Sequence, residues 1–202
     1  MLMKRGLDFV LSAVGLIIAA PILMVTALAV RLSSPGPIIF TQTRVGKDGR
    51  PFKVYKFRTM RAEGDGAQTT RRWHDLDKDA FNQLKFHAGG SDPRITRVGQ
   101  VLRRTSLDEL PQLVNVLLGD MSLVGPRPEI PELVQLYDDY ARQRLRVLPG
   151  ITGLAQVSGR SELSMAEKIA LDVEYVKRQT IWLDLKILAL TVSVVLGGKG
   201  AR

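Results

Sequence analysis

The chain has 202 residues, enough for one folded domain and a membrane element, and it contains no cysteine. Disulfide frameworks and thiolate metal centres are therefore excluded, and the two histidines, His74 and His87, cannot form a zinc site of the usual kind alone. The formal net charge of +9 favours an anionic partner: a nucleic acid, an anionic lipid surface or a phosphate-bearing substrate.

The first predicted element is an uncharged apolar segment, residues 9–30, which is as long as the roughly 20 residues that cross a bilayer. Pro21 lies in its middle, where it removes a helix hydrogen bond and bends the chain. Positive residues prefer the cytoplasmic face, and they occur on both flanks: Lys4, Arg5 and Arg31. Two interpretations stay open at this point. Residues 1–32 form either a helix–break–helix hairpin that enters and leaves by the cytoplasmic leaflet, or a single kinked span.

Short strands and helices, separated by glycine- and proline-rich breakers, are predicted for the rest of the chain. The strands are predicted over 38–43 and 51–60, around a turn at 48–49, and the helices over 97–104, 108–118, 131–147, 164–178 and 181–196. Ser164 and Glu167 have the spacing of a capping box. The predicted fold class is α/β, mostly α with a small β-hairpin, in a compact cytoplasmic domain over residues 33–202.

The final apolar helix, about 181–196, is too short to span a membrane comfortably and begins near Trp182. A tryptophan at this place suits an interfacial position, although a buried core helix explains the segment equally well. A basic ribbon, residues 52–58 (FKVYKFR), is similarly ambiguous. It suits a nucleic-acid surface or attraction to anionic lipid headgroups.

The strongest candidate for chemistry is the pair Asp108 and Glu109, which follows two arginines at a predicted helix start. Acidic residues at such a position often only complement the helix dipole, and Ser106 and Glu109 have capping-box spacing. A functional interpretation rests on the same electrostatic effects at the helix start. A helix start and nearby arginines attract phosphate and keep a carboxylate ionised, so that it can act as a nucleophile or metal ligand.

Two loops are candidates for phosphate binding. Prolines on both sides hold Arg127 in the segment 125–129 (GPRPE), which suits bidentate phosphate binding, although a plain surface turn is an alternative. The segment 150–160 (GITGLAQVSGR) has glycines that permit close backbone approach to a ligand, and it ends at Arg160. It matches neither of the two common nucleotide-binding glycine motifs.

Taken together, these motifs identify a family. The chain resembles the bacterial sugar transferases, the small monotopic phosphoglycosyl transferases, over nearly its whole length except about 61–91. The matching segments are KRGLDFVL (4–11), IIFTQTRVG (38–46), FKVYKFRTM (52–60), the long run 92–129, PGITGLAQVSGR (149–160), LDVEYVK (171–177) and LDLKI (183–187). The chain lacks the additional N-terminal spans of the large members, so we expect a catalytic core alone.

The resemblance implies a re-entrant membrane helix whose break corresponds to Pro21. It implies that Asp108 is the nucleophile and a Mg²⁺ ligand and that Glu109 is its acid/base or orienting partner. It also assigns substrate binding to three arginines: Arg103, Arg127 and Arg160. Many members have serine before the helix-breaking proline, whereas this chain has Ala20.

The activity implied by the resemblance is transfer of a phospho-sugar from a UDP-sugar to a polyprenyl (undecaprenyl) phosphate through an aspartyl-phosphosugar, with release of UMP. The expected location is the cytoplasmic face of the bacterial inner membrane, in contact with anionic lipids. No nucleic-acid partner is expected on this interpretation. The alternatives are a membrane-bound glycosyltransferase that releases UDP and a basic, membrane-tethered nucleic-acid binder.

Overall fold

A computed structural model describes residues 2–61, 76–85, 92–159 and 162–196. These residues are mostly helical and include two small two-stranded sheets, which confirms the predicted balance of α and β structure. The strands are β1 (Ile39–Val45), β2 (Pro51–Phe57), β3 (Ser122–Val124) and β4 (Gly150–Thr152). The helices are α1 (Leu2–Ser33), α2 (Lys78–Gln83), α3 (Arg97–Thr105), α4 (Gln112–Leu118), α5 (Pro131–Val134), α6 (Asp139–Arg142), α7 (Leu154–Ser158), α8 (Met165–Arg178) and α9 (Ile181–Leu196).

The apolar segment forms one helix, α1, that continues through Pro21, where the sequence predicted an interruption between two helical arms. A single proline removes one backbone hydrogen bond, and this loss does not end a helix of 32 residues. Its buried residues share one face, since the helical period brings them into line: Asp8, Ser12, Thr26 and Val30. Of the helices in the described ranges, α1 is the one long and apolar enough to cross a membrane, with a mean hydropathy of 2.5.

Polar contacts fix the N-terminal end of α1 to the rest of the protein. Lys4 donates to a carboxylate oxygen of Asp184 on α9 at 2.6 Å and to the carbonyl of Val124 at 3.1 Å. Arg5 donates to two carbonyls at the end of α4, those of Val116 and Leu117. The side chains of both flanking cations are therefore bound by protein groups.

The C-terminal end of α1 is held by Arg58, which is buried. Its guanidinium donates to the carbonyls of Val30, Ser34 and Pro37, so the chain wraps around it as the helix ends. For this residue, the prediction that the ribbon 52–58 is a charged surface is wrong. A guanidinium with five donors is suited to such a cluster of free carbonyls.

The hairpin of β1 and β2 is confirmed, with a register from Ile39 opposite Phe57 to Val45 opposite Pro51. Its turn contains Asp48 and Gly49 at φ angles of 55° and 78°, left-handed conformations that these two residue types tolerate well. The segment 39–57 therefore forms a regular two-stranded unit beside α4.

A second, parallel pair, β3 and β4, was not predicted from the sequence. Its residues approach so closely that a Cβ atom on Gly150 would lie 2.1 Å from the backbone nitrogen of Gly125, and one on Gly153 would lie 2.2 Å from the Gly125 carbonyl oxygen. The glycines that suggested a ligand-binding loop thus permit close packing between two backbone segments.

The predicted long helix over 131–147 is wrong, because this segment contains α5, α6 and a 3₁₀ turn at Gln143–Arg146. The Asp138 side chain accepts a hydrogen bond from the amide of Ala141 and starts a new helix there. The helix α8 and its capping box of Ser164 and Glu167 are confirmed.

The predicted bounds of α9 are also confirmed. Ile187 is buried in a core cluster with Tyr175, while Trp182 on the same helix is exposed. This helix therefore has one buried and one exposed face, and the interfacial position of its exposed face stays a prediction.

Candidate active site

The pair Asp108 and Glu109 lies in a 3₁₀ turn, Leu107–Glu109, directly before α4. The preceding residue, Ser106, ends α3 in a left-handed conformation with φ of 58° and makes no side-chain cap. The predicted capping box of Ser106 and Glu109 is therefore wrong, since the backbone at Ser106 belongs to a turn between two helices. The two carboxylates are free to make other contacts.

Glu109 is held by two cations. Lys56 on β2 donates to Oε1 at 2.8 Å, and Arg127 donates to Oε1 at 2.5 Å and to Oε2 at 3.3 Å. Burial alone would raise the pKa of Glu109, but the charges and hydrogen bonds of Arg127 and Lys56 outweigh burial and hold the pKa well below its usual range. Glu109 is therefore an anion at neutral pH, with both oxygens engaged.

Asp108 lies in a different environment. Among the residues that the structure describes, its carboxylate forms no hydrogen bond and no ion pair within 4.0 Å. Burial and the neighbouring Glu109 charge raise the pKa of Asp108 to about 6, against the opposing effect of Lys56, Arg127 and Arg103. Burial therefore raises the pKa of Asp108 more than the neighbouring cations lower it, and the group is still mostly ionised at neutral pH.

The loop of Arg127 is fixed through its backbone. Four consecutive carbonyls, from residue 126 to residue 129, each accept a hydrogen bond. The donors, in that order, are the Gly150 amide (2.9 Å), the Arg144 guanidinium (2.9 Å), the Arg44 guanidinium (3.1 Å) and the Val45 amide (2.9 Å). The Arg127 side chain itself remains 43% exposed, so a rigid backbone presents an accessible guanidinium.

Arg103 stands near the pair but contacts neither carboxylate directly. Its guanidinium donates to the Thr59 hydroxyl at 3.1 Å and to the Met60 sulfur at 3.2 Å. Its charge nevertheless lowers the pKa of Asp108, which places it within electrostatic reach. Arg160, the third predicted arginine, lies outside the described residues.

Lys56 is the site residue that sequence reasoning missed, because its charge was attributed to the headgroup region. The signal was the two-residue period of β2, which places Lys56 on the same strand face as Phe52 and Val54. Val54 is buried against Val116 of α4, so this face points into the protein. A lysine on an apolar strand face indicates a buried partner, here Glu109.

The chain belongs to the bacterial sugar transferase family, which it matches over residues 1–198. The matched residues include all the segments that carried the resemblance, from α1 to α9.

Three curated relatives show the range of this similarity. The UDP-glucose:undecaprenyl-phosphate glucose-1-phosphate transferase of Escherichia coli K12 is 46% identical over 95% of the chain. The galactosyl transferase CpsE of Streptococcus agalactiae is 42% identical over 98%, and the exopolysaccharide production protein ExoY of Rhizobium meliloti is 38% identical over 98%. The chain spans 39% and 43% of the length of the first two proteins and 87% of ExoY.

Proposed function

We propose that this protein transfers a phospho-sugar from a UDP-sugar to a polyprenyl phosphate such as undecaprenyl phosphate. Family membership supports this proposal, as does the similarity to an enzyme whose name states the transfer of glucose 1-phosphate to undecaprenyl phosphate. The observation that carries it is the Asp108 carboxylate, which has no partner among the described residues and is within electrostatic reach of Glu109 and three cations, Lys56, Arg127 and Arg103.

In the first step a carboxylate oxygen of Asp108 attacks the β-phosphorus of the UDP-sugar. A phosphorus–oxygen bond forms, the bond to the bridging oxygen breaks, and UMP leaves with the bonding electron pair. In the second step a phosphate oxygen of the lipid attacks the same phosphorus, which forms the lipid diphosphate-sugar and releases the Asp108 carboxylate. A pKa of about 6 suits this role, because the group is ionised at neutral pH and more basic than an ordinary aspartate.

The resemblance allowed two roles for Glu109, that of an acid/base and that of an orienting partner, and we assign it the orienting role. Its pKa lies well below the usual range, so it has no proton to donate at neutral pH. Its carboxylate instead holds Lys56 and Arg127 beside Asp108. From there the two cations can neutralise charge on the phosphoryl oxygens, a contribution that commonly dominates catalysis of this kind.

The proposal includes Mg²⁺. No cluster of three or more acidic or histidine ligands occurs in the described ranges. Mg²⁺ often binds through one or two carboxylates together with substrate phosphates, and the unpaired Asp108 fits this pattern. The bound ion would supply charge neutralisation at the diphosphate.

We further propose that the active site lies at the cytoplasmic face of the bacterial inner membrane, with α1 as a re-entrant helix and anionic lipids as neighbours. Lys4 and Arg5 attach one end of α1, and Arg58 attaches the other end, to the same folded domain. This arrangement supports a course that begins and ends on one side of the bilayer. The outward face of α1 is apolar along its length, which suits contact with lipid chains.

The decisive experiment is incubation of the purified full chain with UDP-sugars and Mg²⁺, followed by intact-mass measurement. We expect a mass increase of one phospho-sugar in the wild type and none in Asp108→Asn. Asp120→Asn, which changes a carboxylate at the opposite end of α4, serves as the matched control and should form the adduct.

Product analysis with polyprenyl phosphate completes this test. The proposal predicts UMP and a lipid diphosphate-sugar. Release of UDP would instead identify a glycosyltransferase, and the absence of any adduct on the wild type would overturn the covalent mechanism.

A further inference from the structure

A buried ion pair lies behind the active-site loop, away from the proposed chemistry. Arg144 comes from the 3₁₀ turn Gln143–Arg146 and Asp172 from α8, and their side chains are only 3% and 1% exposed. Neither residue was a candidate in the sequence, and neither contacts Asp108 or Glu109. The position of the pair therefore requires an explanation that does not involve contact with substrate.

The Arg144 guanidinium connects three elements. One terminal nitrogen donates to the Tyr137 hydroxyl, and the other donates both to Asp172 and to the carbonyl of Arg127 at 2.9 Å. The guanidinium carbon also lies 5.6 Å from the centre of the Tyr137 ring. Asp172 thus holds the guanidinium, and the guanidinium holds the backbone of the residue whose side chain reaches Glu109.

Stability alone does not explain this pair. Removing two charges from water is costly, and buried ion pairs can often be replaced by apolar residues of similar size without loss of stability. Here burial raises the pKa of Asp172 to about 6 in spite of the adjacent Arg144 charge. In addition, Asp172 Oδ1 and Arg144 Nε are buried without a hydrogen-bond partner in the structure.

The geometry of the loop indicates what the pair provides. Of the four donors to the carbonyls of residues 126–129, two are backbone amides and two are arginine side chains. Arg44 binds the carbonyl of Pro128, whereas Arg144 binds the carbonyl of Arg127 itself. The orientation of the Arg127 side chain therefore depends most directly on Arg144, and through it on Asp172.

We propose that Asp172 is a positioning residue, which acts through Arg144 to hold the Arg127 backbone so that the Arg127 guanidinium is correctly placed for phosphoryl transfer. This inference rests on the proposed function of the same site. It assigns a role in activity to a carboxylate in the interior of α8. It predicts that the pair contributes to turnover more than to stability.

The first experiment separates activity from stability. The double variant Arg144→Met with Asp172→Leu replaces the pair by apolar side chains. We expect its thermal unfolding midpoint to stay at or above that of the wild type, since the desolvation cost is removed. We expect kcat/KM for UMP release to fall roughly 10- to 100-fold, as a misplaced catalytic group commonly causes. Full activity in this folded variant would overturn the proposal.

The second experiment tests whether Asp172 acts through Arg127, and it decides the matter if the double variant folds poorly. Asp172→Asn is measured in the wild-type background and in Arg127→Lys. A positioning role predicts a large loss of kcat/KM in the wild type and a much smaller additional loss in Arg127→Lys, because the guanidinium to be positioned is already gone. Equal losses in both backgrounds would show a general structural role and overturn the proposal.

Glu174→Gln is the matched control, since it removes an exposed ion pair with Arg178 on the same helix, and we expect it to retain wild-type kinetics. Failure of the proposed function would be recognised separately. A wild type that releases UDP, or no nucleotide, from its UDP-sugar contradicts the function. A wild type that releases UMP with equal losses in the two backgrounds contradicts only the role of Asp172.

Discussion

Two adjacent carboxylates in the 3₁₀ turn before α4 have opposite electrostatic environments. Glu109 contacts two cations and its pKa is lowered, whereas Asp108 has no such direct contact and its pKa is raised to about 6. Pairs of groups whose environments push their pKa values apart are a common sign of divided roles in an active site. This difference agrees with the proposed division of roles between a nucleophile, Asp108, and an orienting residue, Glu109.

The raised pKa of Asp108 predicts an effect on stability. Between its ordinary value of 3.8 and about 6, the folded protein binds this proton more tightly than the unfolded chain, so stability falls as pH rises through that window. Above pH 6 the full cost of the charge is present. We therefore expect Asp108→Asn to be more stable than the wild type at pH 7.5, by roughly 1–2 kcal/mol after allowance for partial exposure.

Thermal unfolding of the full chain in detergent at pH 7.5 and pH 4 measures this difference. The advantage of Asp108→Asn should shrink at the lower pH, where the wild-type carboxyl is mostly protonated. Asp120→Asn provides the comparison and should change stability by less than about 0.5 kcal/mol. A variant less stable than the wild type at pH 7.5 would contradict the assigned environment of Asp108.

At the scale of elements, one buried side chain joins the hairpin to the helix of the active site. Asn115 of α4 donates to the Lys53 carbonyl at 2.7 Å and accepts from the Tyr55 amide at 3.0 Å. Asn115 is fully buried, and its two bonds lie along the edge of β2 just before Lys56. The position of β2 relative to α4 therefore depends on the Asn115 side chain, and with it the contact of Lys56 with Glu109.

We expect Asn115→Leu to leave the Lys53 carbonyl and the Tyr55 amide without partners, at a cost of about 2–4 kcal/mol. Activity should fall further than the folded fraction, because Lys56 loses its fixed place beside Glu109. Thermal unfolding and UMP release on the same preparations measure the two effects. Asn82→Ala on α2 is the control, and an equally large loss of activity there would contradict the special role of Asn115.

Local patterns predicted those parts of the fold that local interactions determine. The hairpin, the capping box of α8 and the left-handed Gly119 that ends α4 follow from turn and cap chemistry within a few residues. The pairing of β3 with β4 joins residues about 28 positions apart in three-residue strands, too short to show a periodicity. The break between α5 and α6 was missed because the Asp138 cap competes with an otherwise continuous helical pattern.

Motifs pointed to Asp108, Glu109 and Arg127, and the structure brings Arg127 into contact with Glu109, while the roles of these residues stay predictions. The residues that hold these side chains in place were not predictable, because they lie far away in the sequence. They are Lys56, Arg144 and Asp172. The direction of the Asp108 pKa shift also required the fold, because the sequence shows nearby charges but not burial. Sequence motifs thus supplied the candidate residues, while tertiary packing determines their environment.

For the whole molecule, the attachment of both ends of α1 to one domain predicts a specific membrane topology. Leu2 and Leu32 lie near the two ends and are 91% and 77% exposed, and the chain has no native cysteine to interfere with labelling. With a re-entrant course, Leu2→Cys and Leu32→Cys should both react with a membrane-impermeant maleimide in inverted inner-membrane vesicles. Neither should react from the periplasmic side.

Glu162→Cys, at an exposed position of the folded domain, reports which side that domain occupies. Labelling of the two helix ends from opposite sides would identify a conventional span and contradict the proposed topology.

The attachment of α1 also determines which pieces of this protein can exist on their own. Without residues 2–33, Arg58 would keep its buried charge but lose one of its three carbonyl acceptors, that of Val30, and Asp184 would lose its lysine. A shortened chain designed for purification in water would thus expose apolar residues that pack against α1, such as Phe57 and Leu102. With α1 inserted in lipid as proposed, the lipid phase would take part in folding, and we expect the complete structure to form only where α1 can insert.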